Sequence, residues 1–103
     1  MNAQPAAAPL FGQAPVESLQ AKVEALLRAK FPEADLNLET EPNGVVHGYV
    51  VTDRFRHWLD RTRVGATRAP LKALPKAERE SVSMLMALTH AEYQSIMDDQ
   101  RFW

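Results

Sequence analysis

Arg54, Arg56, Arg61, Arg63 and Arg68, followed by Lys72, Lys76 and Arg79, set eight cations against two acids, Asp60 and Glu78, between positions 54 and 79. That segment carries a net +6, and the remaining residues, with four bases and eleven acids, carry −7. The overall net charge of −1 therefore conceals a dipolar chain. A guanidinium is a planar fork of donors that grips a carboxylate or phosphate with two hydrogen bonds. Arg54, Arg56, Arg61, Arg63, Arg68 and Lys72 are thus candidate contacts to an acidic protein partner or to nucleic acid.

Chemistry of other kinds has less to work with. There is no cysteine, which removes disulfides, thiolate metal sites and thiol nucleophiles. His47, His57 and His90 are the only imidazoles, and no two have the close spacing of a zinc or iron site. No metal site is assigned, with His47 a weak candidate. The serines at 18, 81, 83 and 95 lie in no nucleophile-elbow motif, and the four glycines form no phosphate loop. A non-enzymatic role is expected. A small enzyme would need His47 or His57 gathered with carboxylates.

A chain of 103 residues supports one domain and one core. Neither a signal peptide nor a run approaching the roughly 20 apolar residues of a membrane span is visible, so a cytoplasmic protein is expected. Residues 1–15, with three prolines and no charge, read as a flexible tail ahead of a domain over 16–103. Leu10 and Phe11 in that tail, and Phe102 and Trp103 at the other end, are possible docking aromatics and aliphatics.

The candidate residues need a frame, and periodicity supplies it. Val16, Leu19, Val23, Leu26, Leu27 and Phe31 form one helical stripe, with Pro15 in its first turn and Pro32 ending it. Leu36, Leu38 and Thr40 alternate with polar residues, Glu41-Pro42-Asn43-Gly44 supplies a turn, and Val45–Thr52 resumes a strand. In that second strand Val45, His47, Tyr49 and Val51 share one face; Val46, Gly48, Val50 and Thr52 share the other. A helix capped by Thr52 or Asp53 is expected next, with Phe55, Trp58 and Leu59 packing inward. Gly65 and Pro70 should break the middle segment, and Pro75 should start a short helical turn through Glu80.

Ser81–Thr89 alternates again, which puts Val82, Met84, Met86 and Leu88 on one side and Ser83, Leu85 and Ala87 on the other. Thr89-His90-Ala91-Glu92 has capping-box spacing and opens a last helix carrying Tyr93, Ile96 and Met97 inward. The order α-β-β-α-α-β-α predicts an α+β domain with helices on one face of a three-stranded mixed sheet.

That order, with Asp53-Arg54-Phe55 after the second strand and Thr89-His90-Ala91-Glu92-Tyr93 after the third, resembles the BolA family over roughly Leu19–Met97. The resemblance implies a KH-like fold and an adaptor that binds monothiol glutaredoxins and can share an iron-sulfur cluster with them. DNA binding is also ascribed to parts of the family. The family's cluster-ligating histidine lies in an Arg-His-Arg motif on the helix after Asp-x-Phe. In this chain Arg63 or Arg68 falls on the arginines, and Val64 or Thr67 on the histidine. His57 stands where the family places a glycine. KH-type RNA binding relies on a Gly-x-x-Gly loop, which does not occur here.

The expected role is a BolA-like adaptor that takes an acidic protein, for which a monothiol glutaredoxin is one candidate, on the 54–79 segment. A small nucleic-acid-binding domain using the same surface is the alternative. On the adaptor reading Arg61, Arg63 and Arg68 lead the contacts, and reversing Arg63 and Arg68 to glutamate should abolish partner capture without unfolding the domain; the nucleic-acid reading predicts affinity that falls steeply with salt.

Overall fold

The computed structural model of the chain describes residues 18–100. The tail at 1–15, the helix-entry residues Pro15 and Val16, and the terminal Phe102 and Trp103 lie outside them. The described residues build α1 (Leu19–Lys30), β1 (Asp35–Thr40), β2 (Val46–Val51), α2 (Asp60–Arg68), α3 (Lys76–Glu80), β3 (Val82–Leu88) and α4 (His90–Gln100). Two 3-10 turns, Asp53–Phe55 and Ala69–Ala73, flank α2. This is the predicted α+β order with its three-stranded mixed sheet.

α1 starts where Ser18 accepts a hydrogen bond from the Ala21 amide, satisfying one of the free donors of the first turn. Glu24 pairs with Arg28 one turn later at 3.0 Å. Its inward stripe, Val23, Leu27 and the capping Phe31, is fully buried. Strand order is β1-β2-β3, with β1 antiparallel to β2 and β2 parallel to β3. Val46, Gly48 and Val50 of β2 are buried on the face that meets α1. Phe55 meets Phe31 edge to face at 5.4 Å and Trp58 at 5.5 Å. Leu71 and Leu74, from the second 3-10 turn and its end, complete the same core.

Three departures from the sequence reading have physical causes. The helix expected from Asp53 is only a 3-10 turn, capped by the Thr52 hydroxyl at 3.1 Å from the Arg54 amide. His57 then adopts φ +68, a left-handed conformation that stops a helix and that glycine accepts more readily. α2 restarts at Asp60, so Leu59 does not join Phe55 and Trp58 inward but stands 72% exposed. Gly65, by contrast, does not break α2.

The second departure is in β3. Between the pairs Val46↔Val82 and Gly48↔Leu85, β2 has one residue and β3 has two. This bulge breaks strict alternation, because the extra residue shifts the side-chain phase by one. Val82, Leu85 and Ala87 therefore belong to the core side, and Val82 does not share a face with Met84 and Met86.

The third concerns the layers. The helices do not all lie on one face, because α4 packs on the other. Tyr93 stacks edge to face on Tyr49 at 5.2 Å, and the Asn37 side-chain amide donates to the Tyr93 hydroxyl at 3.1 Å. Asn37 and Tyr49 alternate with the core-facing Leu38 and Val50, so α4 covers part of the sheet's second face.

Candidate interaction surface

Folding divides the cations into those spent on the domain and those left outside. Arg63 is 8% exposed and fully committed. Its Nη1 donates to Glu92 Oε1 at 2.6 Å and to the Ala87 carbonyl at 3.2 Å, and its Nε donates to the Trp58 carbonyl at 3.2 Å. Its guanidinium also lies 6.0 Å from the centre of the Phe55 ring. Arg68 donates to the Val82 and Ser83 carbonyls on the edge strand β3. Arg54 pairs with Glu33 at 2.7 Å and stacks over the Phe31 ring at 5.0 Å. The Arg63 guanidinium is structural, which corrects the expectation that it can be reversed without cost to the fold; Arg68 is half-buried and Arg54 exposed, each with a partner inside the domain.

The rest of the basic set is outside. Arg56 reaches Asp53 only at 3.8 Å on an exposed surface, a spacing of little energetic consequence. Among the described residues, the side chains of Arg61 and Lys72 form no hydrogen bond or ion pair, and both are exposed. No sequence signal separates Arg61 from Arg63. Only the inward phase of α2, shared by Arg63 and the buried Thr67, tells them apart.

Beside Arg61 on α2, Val64 is an exposed apolar side chain. Leu59, Val64 and Met84 are the large hydrophobic side chains left exposed among the described residues, at 72%, 53% and 61%. Val64 lies one turn from Arg61 on α2 and faces a groove of about 640 Å³ along β3. Met84, Met86 and Ile96 line the same groove, and the Arg63–Glu92 pair lies at its wall. The groove runs beside the edge of the sheet between α2 and α4. Arg63 and Arg68 occupy carbonyls of that edge strand at Ala87, Val82 and Ser83, which blocks simple strand addition there.

Glu92 serves two elements at once. Its Oε1 accepts from the Thr89 amide at 2.8 Å, while the Thr89 hydroxyl accepts from the Glu92 amide at 3.2 Å, which completes the predicted capping box. The same oxygen receives Arg63. The Arg63 hydrogen bond, and then the Thr89 amide, hold the Glu92 carboxyl below its usual pKa.

Two of the three histidines meet carboxylates. His47 Nε2 lies 3.7 Å from both Glu39 and Glu41. His90 sits between Asp35, 3.0 Å from Nε2, and Asp53, 3.3 Å from Nδ1 and 3.0 Å from the His90 amide. No hydroxyl is hydrogen-bonded to either imidazole among the described residues. Both His90 nitrogens can donate only in the imidazolium, so the bonds to Asp35 and then Asp53 raise its pKa. The His90 amide, in turn, lowers that of Asp53.

The clasp joins β1, the first 3-10 turn and α4, and it makes stability depend on pH. A histidine whose folded pKa exceeds the unfolded value of about 6.5 contributes fully below that value and loses its contribution as pH rises through the folded one. Urea denaturation should therefore show stability falling as pH rises above about 6.5, and the fall should be flatter in His90→Gln. Equal slopes for the two proteins would remove the clasp from the account.

Among the described residues no group of three or more His, Cys, Asp or Glu is arranged to hold a metal ion. The positions matching the cluster-ligating histidine of the BolA family do not fit that role. Val64 has no donor atom, and the buried Thr67 hydroxyl donates to the Arg63 and Val64 carbonyls. No helix of the described residues is long and apolar enough to cross a membrane. The chain matches no protein-family model, no curated protein and no solved structure.

Proposed function

We propose that this domain is a BolA-like adaptor that docks an acidic partner protein on the α2 and β3 surface around Arg61, with a monothiol glutaredoxin the first partner to test. One observation carries the reading. Val64 and Met84, two of the three large apolar side chains left exposed among the described residues, line one groove, and Arg61 stands one helical turn from Val64 on α2. Apolar anchors with a flanking cation are the composition of a protein-binding patch, in which the buried centre supplies affinity and the rim charge steers encounter. The contacts assigned to Arg63 and Arg68 pass to Arg61, Val64 and Met84, with Lys72 at greater distance along the chain.

The nucleic-acid alternative is left with fewer free cations, since Arg54, Arg63 and Arg68 are engaged within the domain. Arg56, Arg61, Lys72, Lys76 and Arg79 remain exposed, and binding through them to phosphates would fall steeply with salt. An amide-shift titration of labelled protein separates the two. A monothiol glutaredoxin should shift residues 59–68 and 84–88, and Arg61→Glu with Val64→Asp should weaken binding at least tenfold while the domain stays folded. Unchanged affinity in that double variant would end the assignment of this surface. Shifts produced instead by a DNA duplex, and lost at high salt, would transfer the surface to the alternative.

A further inference from the structure

The second face of the sheet is only partly covered by α4, and the uncovered part is unusual in its lining. A cavity of about 260 Å³ opens there between β2, β3 and the last turns of α4. Its apolar wall consists of Met84, Met86 and Met97 together with the Tyr49 ring, and no valine, leucine or isoleucine lines it. The sequence has four methionines, and these three are all of them apart from Met1. His47 supplies an imidazole to the same wall.

The placement has identifiable causes. In regular alternation from Val82, Met84 would point to the core. The bulge opposite His47 shifts the phase of β3, so Met84 joins Met86 on the outer face, and bulges commonly re-aim side chains at functional sites. His47 lies two residues before Tyr49 on β2, hence on the same face, and Tyr49 is the register partner of Met86. Tyr93 stacks on Tyr49, and Met97 follows Tyr93 by one helical turn, which carries its side chain over the same region.

We propose that this cavity is a site for a soft monovalent cation, Cu(I), bound by the thioether sulfurs of Met84, Met86 and Met97 and by the imidazole of His47. Thioethers are poor ligands for hard and borderline ions but suit Cu(I), and imidazole suits copper as well. A methionine has three rotatable bonds, so its sulfur can turn into a cavity of this size without backbone movement. If the wall served only to pack, the aliphatic residues used elsewhere in this domain would suffice. Met84 in particular is 61% exposed and packs little. The carboxylates of Glu39 and Glu41, each 3.7 Å from His47 Nε2, place negative charge beside the site and favour a cation there. The site does not require the partner reading, but it shares Met84 and Met86 with the proposed docking groove.

The test uses the full chain, reduced and in chloride-free buffer, with methionine methyl groups and histidine rings observed by NMR. Ag(I), a diamagnetic stand-in for Cu(I), is added first, and Cu(I) is then measured by competition with a colorimetric chelator. One equivalent of Ag(I) should shift the methyl groups of Met84, Met86 and Met97 together with the His47 ring. Replacing the three methionines by leucine conserves volume and should leave the urea midpoint nearly unchanged while Cu(I) affinity falls at least a hundredfold. His47→Gln should lower affinity at least tenfold. The proposal is overturned if the methyl signals do not move, if only Met1 responds, or if the triple leucine variant retains its affinity. Zn(II) binding at His47 that equals Cu(I) in affinity and shifts no methyl group would likewise overturn the thioether assignment.

Discussion

Arg63→Glu is expected to unfold the domain or to cost it about 4 kcal/mol, a large share of the roughly 5–15 kcal/mol that holds a chain of this size together. Arg63 donates to three acceptors on three parts of the fold: the Trp58 carbonyl ahead of α2, the Ala87 carbonyl on β3 and the Glu92 carboxylate at the start of α4. Glutamate would withdraw those donors, strand the buried carbonyls and set a second carboxylate beside the half-exposed Glu92. Arg63→Met, which keeps much of the volume, should cost about 2 kcal/mol, since it strands the acceptors without adding repulsion. Urea denaturation of both variants checks the order. In a double-mutant cycle with Glu92→Gln, the coupling should exceed the few tenths of a kcal/mol seen for distant sites. Arg61→Glu, by contrast, should leave the midpoint almost unmoved, because Arg61 is exposed and pairs with nothing among the described residues. A stable, well-folded Arg63→Glu protein would return Arg63 to the binding surface.

Gly48→Ala is expected to cost about 3 kcal/mol or more, although it adds a single methyl group. Gly48 has φ +157 and lies in β2 opposite Leu38 of β1. A Cβ built there would overlap the Asn37 carbonyl oxygen and stand 2.8 Å from the Leu38 Cα. Both neighbours are backbone of a paired strand and cannot swing aside as a side chain would. Relief requires β1 to move away, which breaks the ladder and opens the core beneath Leu36 and Leu38. Gly65→Ala is the control: nothing lies within 4 Å of its added Cβ, and alanine is the better helix former by up to about 1 kcal/mol. The first substitution should lower the urea midpoint sharply and the second should raise it slightly. Comparable midpoints for the two would contradict the close approach of β1 to Gly48.

The sequence by itself determined the elements and their order, because those follow from local rules. The stripe from Leu19 to Phe31 has helical period, Glu41-Pro42-Asn43-Gly44 has turn chemistry, and Thr89 to Glu92 has the reciprocal spacing of a capping box. Each signal lies within a few residues and survives without knowledge of its surroundings. The same holds for the concentration of positive charge between 54 and 79.

Tertiary structure decided everything that depends on phase between elements. The bulge opposite His47 adds one residue to β3, and a two-residue period cannot absorb it without turning a side chain over; Met84 and Val82 therefore part company. Left-handed His57 separates Leu59 from the core residues Phe55 and Trp58, though all three stand at suitable spacings in the sequence. α4 takes the opposite face of the sheet because Tyr93 finds Tyr49 and Asn37 there. Arg61 and Arg63 are the same residue two positions apart on one helix, and in composition they are equivalent. One points to water and the other meets Glu92 from 29 positions away, so their roles follow from a contact that no local pattern encodes.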